Sequence, residues 1–249
     1  MLQKKVFALL GYPLSHSFSQ RYFTDKFIAL GLKGYKYECF EIKTLSLLPN
    51  IIQDNPLLQG FNVTSPYKQE IFSYLDEIDE VAKEIFSVNC VKVEDNKLIG
   101  FNTDWLAFRE SLKKNANIRN LHRALILGSG GAAKSVAYAL NSLNISYVFV
   151  SRSFSKEENY ITYEDLNKEH YNDFDLIVNA TPCGLDSYPA ISDIDTRKIN
   201  SKHVVFDLIY NPTKTTLLCE AYKNGAKIIN GLEMLYLQAE FCWKIWNKI

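Results

Sequence analysis

Residues 123–152 constrain the fold of this chain more than any other stretch. A short apolar run, Ala-Leu-Ile-Leu at 124–127, meets Gly-Ser-Gly-Gly-Ala-Ala at 128–133, and a β-branched and aromatic run follows at 145–150. An uninterrupted apolar run ended by a turn reads as a buried parallel strand. Gly128, Gly130 and Ala133 then stand at the spacing where small residues permit a tight turn, admit a pyrophosphate to the backbone and let helix approach strand. Val136, Ala137, Leu140 and Leu143 recur at helical spacing, and Asn144 closes the helix before the next strand. The stretch is therefore strand, glycine turn, helix, strand, and the helical N–H groups suit a phosphate. A purely structural glycine turn is the alternative.

The end of the second strand bears on which dinucleotide fits. A site for NAD usually carries Asp or Glu there, to bind the ribose 2′-hydroxyl. Here the chain reads Ser151-Arg152-Ser153, with Lys156 four residues beyond Arg152. A guanidinium fork suits a 2′-phosphate, so the stretch favours NADP. Otherwise Arg152 is an ordinary solvated arginine.

The chain has 249 residues, 47% of them hydrophobic, enough for one large domain or two of ordinary size. With 28 basic against 28 acidic residues it has no general attraction to nucleic acid or an anionic membrane, and a small-molecule partner fits better. The five cysteines include no Cys-x-x-Cys pair and their odd number argues against a disulfide framework, so a cytoplasmic setting is expected. The apolar run at 6–10 is halted by Gly11 and Pro13, too short for a leader or a membrane span. The four histidines show no paired ligand spacing, and no metal is assigned. Gly-x-Ser-x-Gly is also absent, which disfavours a serine hydrolase.

The first hundred residues repeat a βαβα rhythm. Strands are expected at 5–10, 35–42 and 60–63, with helices from near Ser19 and over 45–53, which implies a mostly parallel sheet. Ser17 and Ser19 follow the first strand at the edge where open α/β sheets bind ligands, although Ser19 also suits a helix cap. The third strand runs into Asn-Val-Thr-Ser-Pro-Tyr-Lys at 62–68, where Pro66 predicts a helix start with Lys68 in its first turn. An ammonium gains nothing from the dipole there, so Lys68 hints at a task. Runs at 88–93 and 97–101 flank a hairpin turn, after which Asp104 opens a helix. Strands at 176–179 and 204–208 end in loops, and the last helix, 232–246, carries Gln238 among Leu235, Cys242, Ile245 and Trp246. A buried glutamine either satisfies backbone or meets a ligand.

These motifs, His-Ser-x-Ser at 16–19, Asn-Val-Thr-x-Pro-x-Lys at 62–68, Asn-Thr-Asp at 102–104, the glycine turn and a late glutamine, resemble the shikimate dehydrogenase family over essentially the full chain. The resemblance implies reversible NADPH-dependent reduction of 3-dehydroshikimate to shikimate, a step toward chorismate and aromatic amino acids. It implies a Lys68–Asp104 catalytic pair, with Ser17, Ser19, Thr64, Asn89, Tyr210 and Gln238 binding substrate. Gly128, Ser129, Gly130, Gly131 and Ala132 would form the phosphate turn, and Ser151, Arg152 and Lys156 the clamp for NADP. Asn179, Thr181, Leu208 and Gly231 would approach ribose and nicotinamide.

The implied α/β architecture has two domains: a mostly parallel substrate domain over 1–103 and 231–249, and a Rossmann-like dinucleotide-binding domain over 104–230, the last helix returning to the first. A monomer or homodimer is equally compatible. Gln20, Cys90, Trp105, Ala107 and Glu233 depart from the family pattern, Trp105 and Glu233 most bulkily. The rival readings are a quinate or quinate/shikimate dehydrogenase using NAD or NADP, and a catalytically silent relative that only binds the ligand.

Overall fold

The computed structural model describes residues 4–14, 18–152, 159–168 and 171–249. The chain divides into two compact units, Met1–Thr103 with Ala239–Ile249, and Asp104–Gln238.

The first unit contains β1 (Lys5–Gly11), α1 (Phe18–Ala29), β2 (Tyr35–Glu41), α2 (Leu48–Asp54), β3 (Leu58–Val63), β4 (Glu77–Ile78), α3 (Glu80–Ile85), β5 (Cys90–Glu94) and β6 (Lys97–Phe101). Its six-stranded sheet runs β2-β1-β3-β5-β6-β4. β1 lies parallel to both β2 and β3, whereas β5 is antiparallel to β3 and β6, so the sheet is mixed rather than wholly parallel. The antiparallel step needs only a hairpin, and Asp95 and Asn96 supply it with φ of 51° and 61°.

β1 explains why a central strand reads as one apolar run. Phe7 and Leu9 face an aromatic cluster with Phe23, Phe27, Tyr37, Trp243 and Trp246, while Ala8 and Leu10 face Leu45, Leu48, Phe61 and Ile71. Alternation sends neighbours to opposite faces, and both faces are covered.

The second unit continues with α4 (Asp104–Asn115), β7 (Arg123–Leu127), α5 (Gly131–Asn141), β8 (Ser146–Ser151), β9 (Tyr160–Thr162), α6 (Tyr163–Lys168), β10 (Leu176–Asn179), β11 (Val204–Asp207), α7 (Thr216–Lys223) and β12 (Lys227–Asn230). Its strands are all parallel, in the order β12-β11-β10-β7-β8-β9. Counted within the unit this is the 3-2-1-4-5-6 order of a doubly wound dinucleotide fold, and it reverses direction between β7 and β10. Asn144 closes the loop before β8 with φ 57°.

α8 (Leu232–Asn247) contributes to both units, its residues through Gln238 grouping with the second. Its buried residues are Met234, Gln238, Ala239, Cys242, Trp243 and Trp246. Leu235 and Ile245, expected on the buried face, are only half-buried, Ile245 packing at the margin of the aromatic cluster that Ala239, Cys242, Trp243 and Trp246 form with Phe7 and Phe23. Among the described residues no helix is long and apolar enough to cross a membrane.

One element departs from expectation near the candidate site. Residues 64–69 form a turn, and a 3₁₀ helix begins only at Glu70. The Lys68 carbonyl accepts from the Val88 amide at 2.8 Å, a partner outside any helical ladder, so Lys68 stands on a tertiary turn rather than in a first helical turn.

Candidate functional site

The first unit brings together Ser19 and Asn89 through residues that the motifs did not single out as site residues. Ser19 starts the chain of contacts by a hydrogen bond to the Tyr37 hydroxyl. Tyr37 Oη donates to Asn62 Oδ1 at 2.7 Å. Asn62 Nδ2 in turn donates to the Asn89 carbonyl at 3.3 Å and to Cys242 Sγ at 3.0 Å. Cys242 Sγ lies 3.2 Å from Thr103 Oγ1, which accepts from Asn89 Nδ2 at 2.9 Å. Asn89 Oδ1 finally accepts the Thr103 amide at 2.6 Å.

All six residues are buried. A buried amide or hydroxyl without a partner costs about 1–3 kcal/mol, so these groups hold one another in register. Burial first, and then the Cys242 thiol, push the Tyr37 phenol well above its usual range, while the Ser19 bond opposes them. Tyr37 therefore stays neutral and remains a donor to Asn62.

Thr64 directly follows β3, with its amide bonded to the Leu10 carbonyl at 2.9 Å. It is half-buried, as is Lys68. A Cβ on Gly11 would collide with the Thr64 methyl, so β1 must carry glycine where the chain passes Thr64. Asp104 is 5% exposed, opens α4 and directly follows the anchored Thr103. Asp104, Tyr210 and Gln238 belong to the second unit. Tyr210 is half-buried, and burial raises its phenol. Gln238 Nε2 donates to the Leu235 carbonyl at 3.0 Å.

On the dinucleotide side, the candidate residues gather at the carboxyl ends of adjacent strands. Gly128 follows β7, where the sheet order reverses, with φ 101° and its amide bonded to the Val150 carbonyl at 2.8 Å. A left-handed φ favours glycine, and a Cβ there would also stand 3.0 Å from the Thr181 methyl. Gly130 precedes α5 as its N-cap and places no side chain over the helix N-terminus. A Cβ on Gly130 would meet nothing within 4 Å among the described residues. Ser129 and Gly130 are exposed, and Gly131 and Ala132 half-buried.

Asn179, at the end of β10, is 1% exposed and shapes the next turn. Its Oδ1 accepts from the Thr181 hydroxyl at 2.6 Å and amide at 3.1 Å, while its Nδ2 donates to the Cys183 carbonyl at 3.1 Å and to Asp207 Oδ1 at 2.9 Å. Asp207, fully buried at the end of β11, also accepts the Ile209 amide at 3.0 Å and the Thr215 hydroxyl at 2.6 Å. Burial raises its carboxyl, and these three donors oppose the rise. A carboxylate saturated by donors within the protein holds the two strand ends together. Gly231 packs on Leu208 so closely that a Cβ would collide with the Leu208 carbonyl oxygen. Ser151 is half-buried at the end of β8 and Arg152 exposed just beyond it. Ser17 and Lys156 lie outside the described residues.

The five departures have structural homes. Gln20 reaches the Tyr37 carbonyl at 3.4 Å, Cys90 is buried in the aromatic cluster and Ala107 is fully buried. Trp105 meets Tyr138 edge-on at 5.0 Å and lies 4.8 Å from the Arg109 guanidinium, so it links α4 to α5. Glu233 bonds to Lys114, Asn115 and, at 3.4 Å, Ser111, all on α4. Those partners, led by Lys114, outweigh burial and hold its carboxyl below the usual range.

The motifs missed Tyr37, Thr103, Cys242 and Asp207 as residues that build the site. Asp207 left a trace, an acid closing the apolar run Val-Val-Phe, and Asn62 is likewise polar within an apolar strand. Tyr37 and Cys242 left none, since both types are ordinary in cores.

A model of the shikimate dehydrogenase substrate-binding domain matches residues 9–91. The chain is 40% identical to the shikimate dehydrogenase (NADP(+)) of Methanococcus maripaludis strain C7, covering 98% of this chain and 91% of the relative. A crystal structure of shikimate dehydrogenase 1 from Peptoclostridium difficile superposes with a TM-score of 0.86 at 35% identity, covering 98% of this chain and 92% of the other. The shikimate 5-dehydrogenase of Thermus thermophilus, solved in complex with NADP(H) and shikimate, gives a TM-score of 0.86 at 30% identity, covering 98% and 94%.

Proposed function

Because the chain belongs to the shikimate dehydrogenase family, we propose that it is an NADP-dependent oxidoreductase that interconverts 3-dehydroshikimate and shikimate. Near-complete coverage of relatives carrying that activity in their names supports the reading most strongly. The site adds physical support, because the second unit fits a dinucleotide: Gly130 leaves the N-terminus of α5 uncapped and open, as an approaching pyrophosphate requires.

In this reading the substrate belongs to the first unit and NADP to the second. Gly128, Ser129, Gly130, Gly131 and Ala132 hold the pyrophosphate on backbone amides, and Ser151, Arg152 and Lys156 take the 2′-phosphate. Thr181, Leu208 and Gly231 shape the ribose and nicotinamide end, where Asn179 holds the turn. NADP, when bound, supplies or accepts the hydride.

The protein residues bind the ring and move the proton. Ser17, Ser19, Thr64, Asn89, Tyr210 and Gln238 bind the carboxylate and hydroxyls, with Asn89 and Ser19 already fixed by the buried chain through Tyr37, Asn62, Cys242 and Thr103. In the reducing direction the carbonyl oxygen becomes an alkoxide and needs a proton. Lys68 Nζ provides it, and Asp104 orients the hydroxyl that forms. In the oxidising direction Lys68 takes that proton back.

The direct test follows reduced-nicotinamide absorbance after mixing the protein with shikimate or quinate, each paired with NADP⁺ or NAD⁺. A strong rate with shikimate and NADP⁺ alone is expected. A rate dominated by quinate or by NAD⁺ would move the protein to the quinate branch, and silence in all four would leave a binding protein. Arg152→Gln sharpens the cofactor claim. Removing a charge-assisted phosphate contact worth about 1.5–3 kcal/mol should raise KM for NADP⁺ roughly 10- to 100-fold and leave KM for NAD⁺ nearly unchanged. Equal changes for both cofactors would remove Arg152 from the clamp.

A further inference from the structure

Asp207 is a buried titratable group that neither binds the ligands assigned above nor moves the proton. Its side chain is fully buried, and among the described residues no cation pairs with it. Oδ1 accepts from Asn179 Nδ2 at 2.9 Å and from the Ile209 amide at 3.0 Å, and Oδ2 accepts from the Thr215 hydroxyl at 2.6 Å. The Thr215 oxygen receives the Leu218 amide at 3.3 Å as the N-cap of α7, which leaves its hydrogen for Asp207. Three donors thus converge on one side chain. An ionised carboxylate only accepts and suits such a place, whereas an amide would turn an N–H toward one of the donors. Burying a charge without a counter-ion is expensive, so the carboxylate is there for what it holds together.

What it holds is a pair of loops, both within the second unit. The last main-chain bond between β10 and β11 runs from the Leu208 amide to the Asn179 carbonyl at 3.0 Å. Beyond it, among the described residues, no main-chain hydrogen bond joins residues 180–185 to residues 209–215. Asp207 supplies the connection instead. Asn179 shapes the turn after β10 through Thr181 and Cys183, while Ile209 and Thr215 stand at the two ends of the loop after β11. The loops also pack directly on each other. A Cβ on Gly184, whose φ is 112°, would stand 3.0 Å from the Thr215 methyl and 3.2 Å from Ile209 Cδ1. The loop after β12 joins them, since the Gly231 amide donates to the Ile209 carbonyl at 3.1 Å.

We propose that Asp207 is a positioning residue for hydride transfer: it fixes the loops assigned to the ribose and nicotinamide end, and so orients the ring without adding to the grip on the cofactor's phosphates. This rests on the reading that the second unit binds NADP. The residues assigned to the phosphates follow β7 and β8, and none of those described bonds to Asp207. A misplacement of about 1 Å at a reacting centre costs on the order of 100-fold in rate, so loosened loops lower kcat while phosphate-driven affinity stands.

Three measurements compare the native chain with Asp207→Ala and Asp207→Asn. They are kcat for shikimate oxidation at saturation, the Kd of adenosine 2′,5′-bisphosphate, which carries the 2′-phosphate and lacks nicotinamide, and backbone hydrogen exchange of the unliganded protein. Asp207→Ala should lower kcat about 10- to 100-fold and leave that Kd within about twofold. Exchange in residues 179–184 and 208–215 should quicken about tenfold or more while β7 stays protected. Asp207→Asn keeps Oδ1 for Asn179 and Ile209 and should recover most of the rate. If Asp207→Ala does not fold, Thr215→Val reads the same split, with Thr215→Ser as the control that keeps the hydroxyl. Native kcat in Asp207→Ala, unchanged exchange in both loops, or a fall in kcat matched by an equal loss of bisphosphate binding would each overturn the positioning role. A native chain that binds no bisphosphate would overturn the NADP reading itself, and the positioning role with it.

Discussion

Lys68→Ala is expected to lower kcat for shikimate oxidation by about 10²- to 10⁴-fold, the usual worth of one positioned proton-transfer group. NADP⁺ affinity, followed by quenching of tryptophan fluorescence, should hardly change, because Lys68 stands in the first unit and the glycine turn in the second. Folding should survive as well. The contact that anchors the turn is made by the Lys68 carbonyl to Val88, and alanine keeps that carbonyl. If Lys68 acts in the chemical step, kcat and kcat/KM fall together; a rise in KM alone would mark it as a binding residue. Lys68→Arg separates charge from proton transfer. A guanidinium keeps the positive charge but gives up its proton only above about pH 12, so the variant should remain slow. Near-native turnover in Lys68→Ala would remove the residue from the mechanism.

Trp246→Ala should cost about 3–5 kcal/mol of unfolding free energy, among the largest single-site losses in the chain. Trp246 is 6% exposed, stacks on Phe7 with centroids 4.8 Å apart and lies 5.3 Å from Phe23. Its indole N–H donates to the Val91 carbonyl at 2.9 Å, a bond that alanine leaves unmade in the core. Collapse cannot easily close the hole, because Gly60, the residue under the indole, has no side chain to move into it. Urea unfolding followed by circular dichroism measures the loss. Trp246→Phe keeps most of the stacking and should lose clearly less. A cost below about 1 kcal/mol for alanine would mean that α8 contributes little to the first unit.

What could be read from the residues alone was local. The turn at Gly128 was legible because a left-handed glycine, a bounding apolar strand and a helix lie within a few residues of one another. The same holds for Asp95-Asn96, whose φ angles are those of a two-residue hairpin turn. β4 and β9, two and three residues long, gave no periodicity to find and exist because a neighbouring strand pairs with them. The turn at Lys68 was misread as helical because Pro66 is a good helix opener, and the competing bond comes from Val88, twenty residues on.

The buried chain around Asn62 was illegible for a related reason. Tyr37 lies 25 positions from Asn62 in sequence and Cys242 lies 180. No window of residues holds both ends of such a bond. The motif pointed to Asn62 and Asn89, and only the three-dimensional arrangement showed that a tyrosine, a threonine and a thiol hold them. Glu233 and Trp105 show the converse. They are the bulkiest departures from the family pattern, yet each has partners on a neighbouring helix that accommodate it.

The placement of α8 has a consequence for synthesis on the ribosome. The aromatic cluster of the first unit takes Phe7 and Phe23 from near its beginning and Trp243 and Trp246 from a segment separated from them by the whole second unit. At roughly 5–20 residues per second, translation leaves Phe7 and Phe23 waiting on the order of ten seconds for their partners. Domains usually complete in the order in which they emerge, but here the nascent chain can finish the dinucleotide unit first. Until then the earliest-made aromatic face stays uncovered, a surface that chaperones bind and that crowding tends to aggregate.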